Sequence, residues 1–485
     1  MFSKAAFATA LLCAFASQAQ AGGFQLTEQS ALSMGRAYAG AGVDGQDISG
    51  VFYNPASMTL DQGTRFQFGT IVADLDLAYQ SAKDKPNSPT STPYGGRSDN
   101  GRKSTTPIPY AYAAHQINDT VQVGLAITAP FGLETEFSDD WDQAFRGTSS
   151  ALQVVDINPS IAFKLSDKFS VGFGVSAQHA DAKLKYNFAQ IADYQLEKLS
   201  GNKQMQAFLG KKLTEKNINP EILKTPGLKE QIVQGLKTGP ILDVRVKDWA
   251  WGWNVGMLWK PVDTLRVGLS YRSAVSHHAK GDATVGSIPL VAQGLMSKLG
   301  TASTSIKLPG SIENFLKTGT TAASISMDAP AWAMLSASWD INQTYTLSSM
   351  VRWTNWSTFK SLSLKFDDLG GFTKEQRTDW RDTWFVAVGL DAHLNEKLTV
   401  RGGLGYESGV IKDPKTRSGA IPDADRVWLT AGASYKFTKS LQADVSAAYV
   451  RGVGERSLYD DEGKRLGEFN RLNGVLIGAQ VQYRF

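Results

Sequence analysis

The connections between strands constrain this chain more than any other feature. From Thr64 onward apolar residues recur at every second position. In the stretch TVQVGLAIT, Val121, Val123, Leu125 and Ile127 share one face, and RVWLTAGASYKF, SLQADVSAAYV and NGVLIGAQVQYRF repeat the pattern. A period of two means strands with two unlike faces. Six pairs of such strands are joined by two or three polar residues: Asn118-Asp119, Ser166-Asp167-Lys168, Val262-Asp263-Thr264, Asn342-Gln343, Asn395-Glu396-Lys397 and Thr438-Lys439. Much longer links separate them, at about 81–106, 138–150, 189–246, 283–324, 367–380, 410–425 and 457–470. Six short turns and seven long links make thirteen connections and therefore fourteen strands. Strict alternation gathers the turns at one end and the long links at the other. With an even strand number, that asymmetry predicts an all-β, 14-stranded antiparallel transmembrane β-barrel of the outer-membrane kind.

Other features agree with that class. No run of 18 apolar residues exists, so helical membrane spans are excluded. Trp249, Trp251, Trp253 and Trp259 bracket strand six, and Trp332, Trp339, Trp353 and Trp356 mark strands eight and nine, as expected of interfacial aromatic girdles. Phe485 ends the chain on the same alternating face as Tyr483. That ending reads as a signal for the barrel-assembly machinery. A net charge of +4 over 485 residues is too even to imply a nucleic-acid partner.

Residues 1–21 read as a signal peptide: Lys4, an apolar core from Ala5 to Ala16, and the small-x-small pattern Ala19 to Ala21. The expected mature start is Gly22, with Gln20 as the alternative. The single cysteine, Cys13, falls inside this leader, so no disulfide is expected. Residues 22–62 lack alternation and are rich in glycine. They contain G-x-G-x-x-G at Gly40, Gly42 and Gly45, but no strand precedes it and no helix pattern follows, so a dinucleotide site is not supported. A fourteen-strand barrel leaves a lumen too wide for side chains alone to fill. The expectation is a hatch over 22–62 lodged inside a barrel formed by 63–485.

The stretch GGFQLTEQSALSMGRAYAGAG followed by Asn54-Pro55-Ala56 resembles the hatch of the long-chain fatty-acid transporter family (FadL type). GLAITAPFGLETEF, WGWNVGMLWKP and IPDADRVWLTAGASYKF resemble it too, in order along the chain. The resemblance implies passive uptake of long-chain fatty acids or other hydrophobic small molecules by a monomer embedded among outer-membrane lipid and lipopolysaccharide. It implies capture on long loops, with apolar stripes of helical spacing in 189–246 and 283–324. It places Phe24 and Leu184 against the bound tail. The family's cationic wall positions fall on Tyr186 and Gln376, with Lys185 and Arg377 one residue away, so a carboxylate clamp would have to use those two neighbours. A shift of one residue turns a strand side chain to the other face, which leaves a neutral ligand open, such as a hydrocarbon or an oxidised lipid.

The resemblance also implies a lateral gate at Pro130-Phe131-Gly132 on strand three, with Asn54-Pro55-Ala56 behind it. Hairpin folding sets Pro130 level with Pro107 on one side and Asn158-Pro159 on the other, which predicts weakened pairing. An enzyme is not indicated. There is no G-x-S-x-G, and His115, His179, His277, His278 and His393 form no metal-spaced set, so neither cofactor nor metal is expected.

Overall fold

A computed structural model of the chain describes residues 22–82, 98–99, 104–138, 141, 148–187, 241–285, 318–366, 372–418, 421–459 and 463–485. Both amphipathic stripes, at 189–246 below residue 241 and at 286–317, lie outside the described residues.

The strands are β1 (Thr64–Ser81), β2 (Ser104–Gln116), β3 (Val121–Glu136), β4 (Ser149–Lys164), β5 (Phe169–Asn187), β6 (Ile241–Val262) and β7 (Leu265–Arg272, resuming as Val275–Val285). They continue with β8 (Thr320–Ala329 and Trp332–Asp340), β9 (Tyr345–Thr354 and Ser361–Phe366), β10 (Phe372–Arg377 and Thr383–His393) and β11 (Leu398–Glu407). β12 (Asp425–Lys436), β13 (Leu441–Val453 and Ser457–Tyr459) and β14 (Arg465–Arg484) complete the set. Nineteen strand segments, five of them continuations of the one before, thus make fourteen strands. Each pairs antiparallel with its neighbours in sequence, and β1 closes on β14 from Arg65↔Arg484 to Ser81↔Gly467. Closure of β1 on β14 removes the two terminal sheet edges, and the strand backbones pair with their neighbours except along part of the border between β2 and β3.

Alternation along each strand decides which face meets lipid. In β10, Trp384, Val386, Val388 and Leu390 are exposed while Phe385, Ala387 and Asp391 between them are buried. Large apolar side chains facing out and small or polar ones facing in reverse the soluble pattern and match a lipid-facing wall. Four of the six turns share one device. Asn118, Asn342 and Asn395 each accept from two backbone N–H groups two and three residues on, at 2.8–2.9 Å, and Thr438 does the same at 3.0–3.1 Å. These side chains stand in for a backbone acceptor and fix the tight reversals.

Residues 22–62 contain two short helices, α1 (Ala31–Met34) and α2 (Gly50–Tyr53), and a 3₁₀ turn over Pro55–Leu60. Ser30 caps α1, its hydroxyl accepting from Ser33 N at 3.1 Å. Nearly every residue of this segment is buried, and its contacts are with inward-facing wall residues. Gly40 and Gly42 have φ of +74°, a region open to glycine at little cost, and a Cβ at Gly40 would lie 2.6 Å from Ser338 Oγ. The apparent nucleotide motif is therefore a left-handed turn against β8 and β9.

The aromatic reading needs a correction. Trp339 is half exposed, as a girdle residue should be, but Trp332 and Trp356 are fully buried and point inward. The proline register also differs. Pro159 stands opposite Leu125, well below Pro130: the register that runs through Thr128↔Asp156 already carries Pro130 to the level of Val154 and Val155, and the extra residue in β3 before Phe131↔Val154 shifts it by only one. Pro159 lacks a donor, and Asn158 Nδ2 supplies one to Val175 O at 2.8 Å.

Candidate functional site

β2 and β3 pair only from Gln116↔Gln122 to Ala111↔Ile127. Beyond that level β2 continues along β1 to Ser104↔Leu75, and β3 continues along β4 to Glu136↔Ser149, so the seam between β2 and β3 stands unpaired. The sequence explains this. Pro107 and Pro109 pair with Val72 and Thr70 on β1, and proline has no N–H, so the ladder to β1 must run through Ile108 and Tyr110. The missing donors are those that would have faced β3. On the other side of the seam, Pro130 sits in the bulge of β3.

The free edge of β3 is occupied from inside. Leu26 N donates to Pro130 O at 2.8 Å, Gly132 N donates to Phe24 O at 2.9 Å, and Gln25 forms a bridge with Phe131. The N-terminal segment is thereby added to β3 as a short extra strand. This orders Phe24, whose side chain enters an apolar cavity beside the seam. Its ring centroid lies 4.6 Å from Trp356, 5.6 Å from Phe359, 5.8 Å from Trp380 and 5.9 Å from Phe131. Leu133 of β3, Leu152 of β4, Leu184 and Tyr186 of β5, and Ile325 and Met327 of β8 complete much of the lining. With Phe24 in place about 60 Å³ remains free. At roughly 10–15 Å³ per water site that is room for about five waters.

Trp356, Phe359 and Trp380 carry no period-two signal. Trp356 and Phe359 come from a break in β9 at 355–360 and Trp380 from one in β10 at 378–382, level with breaks in β7 at 273–274 and β8 at 330–331. The segments on either side stay in register, with Trp332 opposite both Arg272 and Thr354. Backbone leaving the sheet there can turn large rings inward. The visible trace in the sequence is the loss of alternation in WTNWSTFK and TDWRDTW.

The expected clamp does not assemble. Lys185 is exposed on the face opposite Leu184 and Tyr186, because adjacent residues on β5 point to opposite sides and no bulge intervenes between β5 and β6. The Arg377 side chain is 80% exposed and ion-pairs with Asp379. Neither lines the cavity, and among its described lining residues there is no cation.

Asn54-Pro55-Ala56 also lies elsewhere than behind the gate. Asn54 Nδ2 donates to Met257 O on β6 at 2.9 Å, and the motif rests on three wall glycines. A Cβ at Gly172 would be 2.5 Å from Ala56 N, at Gly256 1.9 Å from Asn54 Oδ1, and at Gly268 2.7 Å from Asn54 Nδ2. The motif therefore docks on β5, β6 and β7. β3 is met instead by Met58 of the following 3₁₀ turn and Val51 of α2, both at Gly124.

A second fastening lies near the turn end. Arg36 bridges Asp44 and Asp391 at 2.6 Å each, and Arg401 holds the other oxygen of Asp391 at 3.0 Å. A polar cavity of about 450 Å³ adjoins these groups and extends to Asn342 and Gln343. At the C-terminus, Phe485 N donates to Thr64 O at 2.9 Å, and the rings of Phe485 and Tyr483 lie 4.7 Å apart, both exposed.

A closed barrel with an apolar belt, tight turns at one end and an occupied lumen defines an outer-membrane β-barrel of a Gram-negative bacterium. The chain belongs to the outer membrane protein transport protein family (OMPP1/FadL/TodX), whose model matches residues 12–485. It is 28% identical over 490 residues to the long-chain fatty acid transport protein of Escherichia coli O6:H1 (strain CFT073), covering 100% of this chain and 99% of that one. It is 27% identical over 485 residues to outer membrane protein P1 of Haemophilus influenzae, covering 97% and 94%. Among solved structures, a Pseudomonas aeruginosa FadL homologue superposes with a TM-score of 0.72 at 23% identity, covering 96% and 100%. The toluene transporter TodX of P. putida gives 0.63 at 15% identity, covering 95% and 99%.

Proposed function

We propose that the protein takes up long-chain fatty acids or similar hydrophobic molecules across the outer membrane by passive, hatch-gated lateral diffusion. The observation that carries this reading is the double role of one segment. Phe24 fills the apolar cavity with its side chain and caps the open edge of β3 with its carbonyl. A tail entering the cavity must displace the ring, and a displaced ring takes the carbonyl with it. Ligand binding then uncovers the seam between β2 and β3. Each methylene buried contributes about 0.8 kcal/mol. Release straight into the periplasm would forfeit that gain in water, whereas exit sideways into the bilayer keeps the tail in apolar surroundings throughout.

Head-group recognition is the open choice within this function. A lining without a cation favours binding through the tail, and the same cavity then suits neutral hydrocarbons, the alternative reading. Quenching of Trp356 and Trp380 fluorescence by oleic acid and by its methyl ester separates the two. Tail recognition requires affinities within about threefold of each other. A methyl ester bound more than tenfold more weakly would require a cationic site. If neither ligand bound, uptake of this ligand class would be refuted.

A further inference from the structure

The N-terminal segment that closes β3 begins at a buried point. Gly22 N lies 3.3 Å from Glu407 Oε1 on β11, and Gly22 itself is buried. In the full chain that nitrogen is a peptide amide. We propose that hydrolysis of the Ala21–Gly22 bond turns it into the group that fastens the segment: the α-ammonium of mature Gly22 ion-pairs with Glu407. Glu407 is then a positioning residue for Phe24. The bond opens by addition of water, which leaves a carboxylate on Ala21 and an amine on Gly22 that is protonated at neutral pH.

Three observations support the assignment. The first is the charge around Glu407. Its oxygens lie 3.4 Å from Arg352 Nη2 and from Arg426 Nη1, both long contacts, while Arg426 also pairs with Asp423. Glu28 is buried within electrostatic range of Glu407, Arg426 and Arg352, and its Oε2 has no hydrogen-bond partner. The neighbouring Arg417 offsets the charge of Asp423, but its hydrogen bonds go to the backbone carbonyls of Asp423, Glu455 and Ser457 rather than to Glu407. Glu407 itself thus has only two long guanidinium contacts, both with arginines that also serve other groups, which leaves room for a closer cation at its Oε1.

The second is the close fit just after Gly22. Gly23 has φ of +67°, and a Cβ there would lie 2.8 Å from Trp380 and 2.9 Å from Trp356. The chain is threaded between two indoles with no slack, so fixing Gly22 fixes Phe24 two residues on. The third is chemical. An amide has one proton and no charge, whereas an ammonium has three protons and forms charge-assisted bonds of about 2.7–2.9 Å. Processing thus strengthens the contact that holds the segment against β3. The ion pair stands whatever route a substrate takes.

The test uses the full protein purified from outer membranes. Intact mass should give a chain starting at Gly22. An aldehyde selective for N-terminal amines, 2-pyridinecarboxaldehyde, should label the folded wild type at least tenfold more slowly than the urea-unfolded protein. Glu407→Gln, with its heat-modifiable migration unchanged, should be labelled at a rate near that of the unfolded chain. A mature start at any other residue, labelling of folded wild type at the unfolded rate, or protection persisting in folded Glu407→Gln would each overturn the proposal. If Glu407→Gln does not fold, insertion of one alanine between Ala21 and Gly22 keeps Glu407 and moves the amine. Protection that survived the insertion would refute the pair.

Discussion

Removing Arg36 should loosen the plug by an amount that can be worked out from its surroundings. Its side chain is 2% exposed and bridges Asp44 of the segment itself to Asp391 of β10. Deleting one partner of a buried ion pair costs about 3–5 kcal/mol, because the other charge is left behind. Two features favour the lower end. Asp391 keeps Arg401 at 3.0 Å, and Asp44 borders the polar cavity, where water can replace part of what is lost. About 3 kcal/mol corresponds to roughly a hundredfold change in the balance between seated and unseated plug, at 1.4 kcal/mol per tenfold. Planar bilayers provide the assay. Wild type should show rare, brief openings, Arg36→Ala about a hundredfold more open time, and Arg36→Lys an intermediate value, since lysine can hold one carboxylate but not bridge two. An Arg36→Ala barrel that assembles normally and opens no more often than wild type would refute the latch.

Three further outcomes follow from the same geometry. Gly256→Val should unseat Asn54, since even a Cβ there would overlap its Oδ1 at 1.9 Å, and protease sensitivity of residues 22–62 should rise while barrel migration on gels stays the same. Lys185→Ala together with Arg377→Ala should leave oleate affinity within about twofold, because both side chains face away from the cavity; a tenfold loss by fluorescence titration would restore the clamp. Phe24→Ala should enlarge the cavity and weaken the cap on β3, raising the rate of ligand entry and the basal leak together. A change in only one of them would separate the two roles assigned to this residue.

The barrel was legible because period two and connection length are local properties. Asn118, Asn342 and Asn395 could be recognised as turns from a few neighbouring residues, and the pairing of β1 with β14 follows once fourteen strands are counted. The cavity was legible only in part. Phe24 and Leu184 came from family resemblance, whereas Trp356, Phe359 and Trp380 sit where strands break, and a break erases the period that would have given their direction. Lys185 shows the same limit from the other side. Strand alternation was enough to question it, but only the unbulged register between β5 and β6 decides the face. The docking of Asn54-Pro55-Ala56 depends on Gly172, Gly256 and Gly268, which are far apart in sequence and adjacent only once three strands have paired. Weakened pairing was expected from Pro130, Pro107 and Pro159 at one level; in the structure Pro159 lies lower, and Pro109, which the sequence reading did not single out, joins Pro107 in stripping β2 of donors.

The proposed exit of substrate through the wall at Pro130-Phe131-Gly132 is tested most directly by closing that wall. Pro107→Val and Pro109→Val on β2, combined with Pro130→Val and Gly132→Thr on β3, restore donors and strand-forming residues on both sides of the seam, so that β3 can pair with β2 above Ile127. The measurement is uptake of radiolabelled oleate by cells carrying this variant, with the closed seam verified by structure and oleate binding verified on purified protein. The account requires binding to persist and uptake to fall to the level of cells lacking the protein. Uptake at the wild-type rate through a verified closed wall would contradict it.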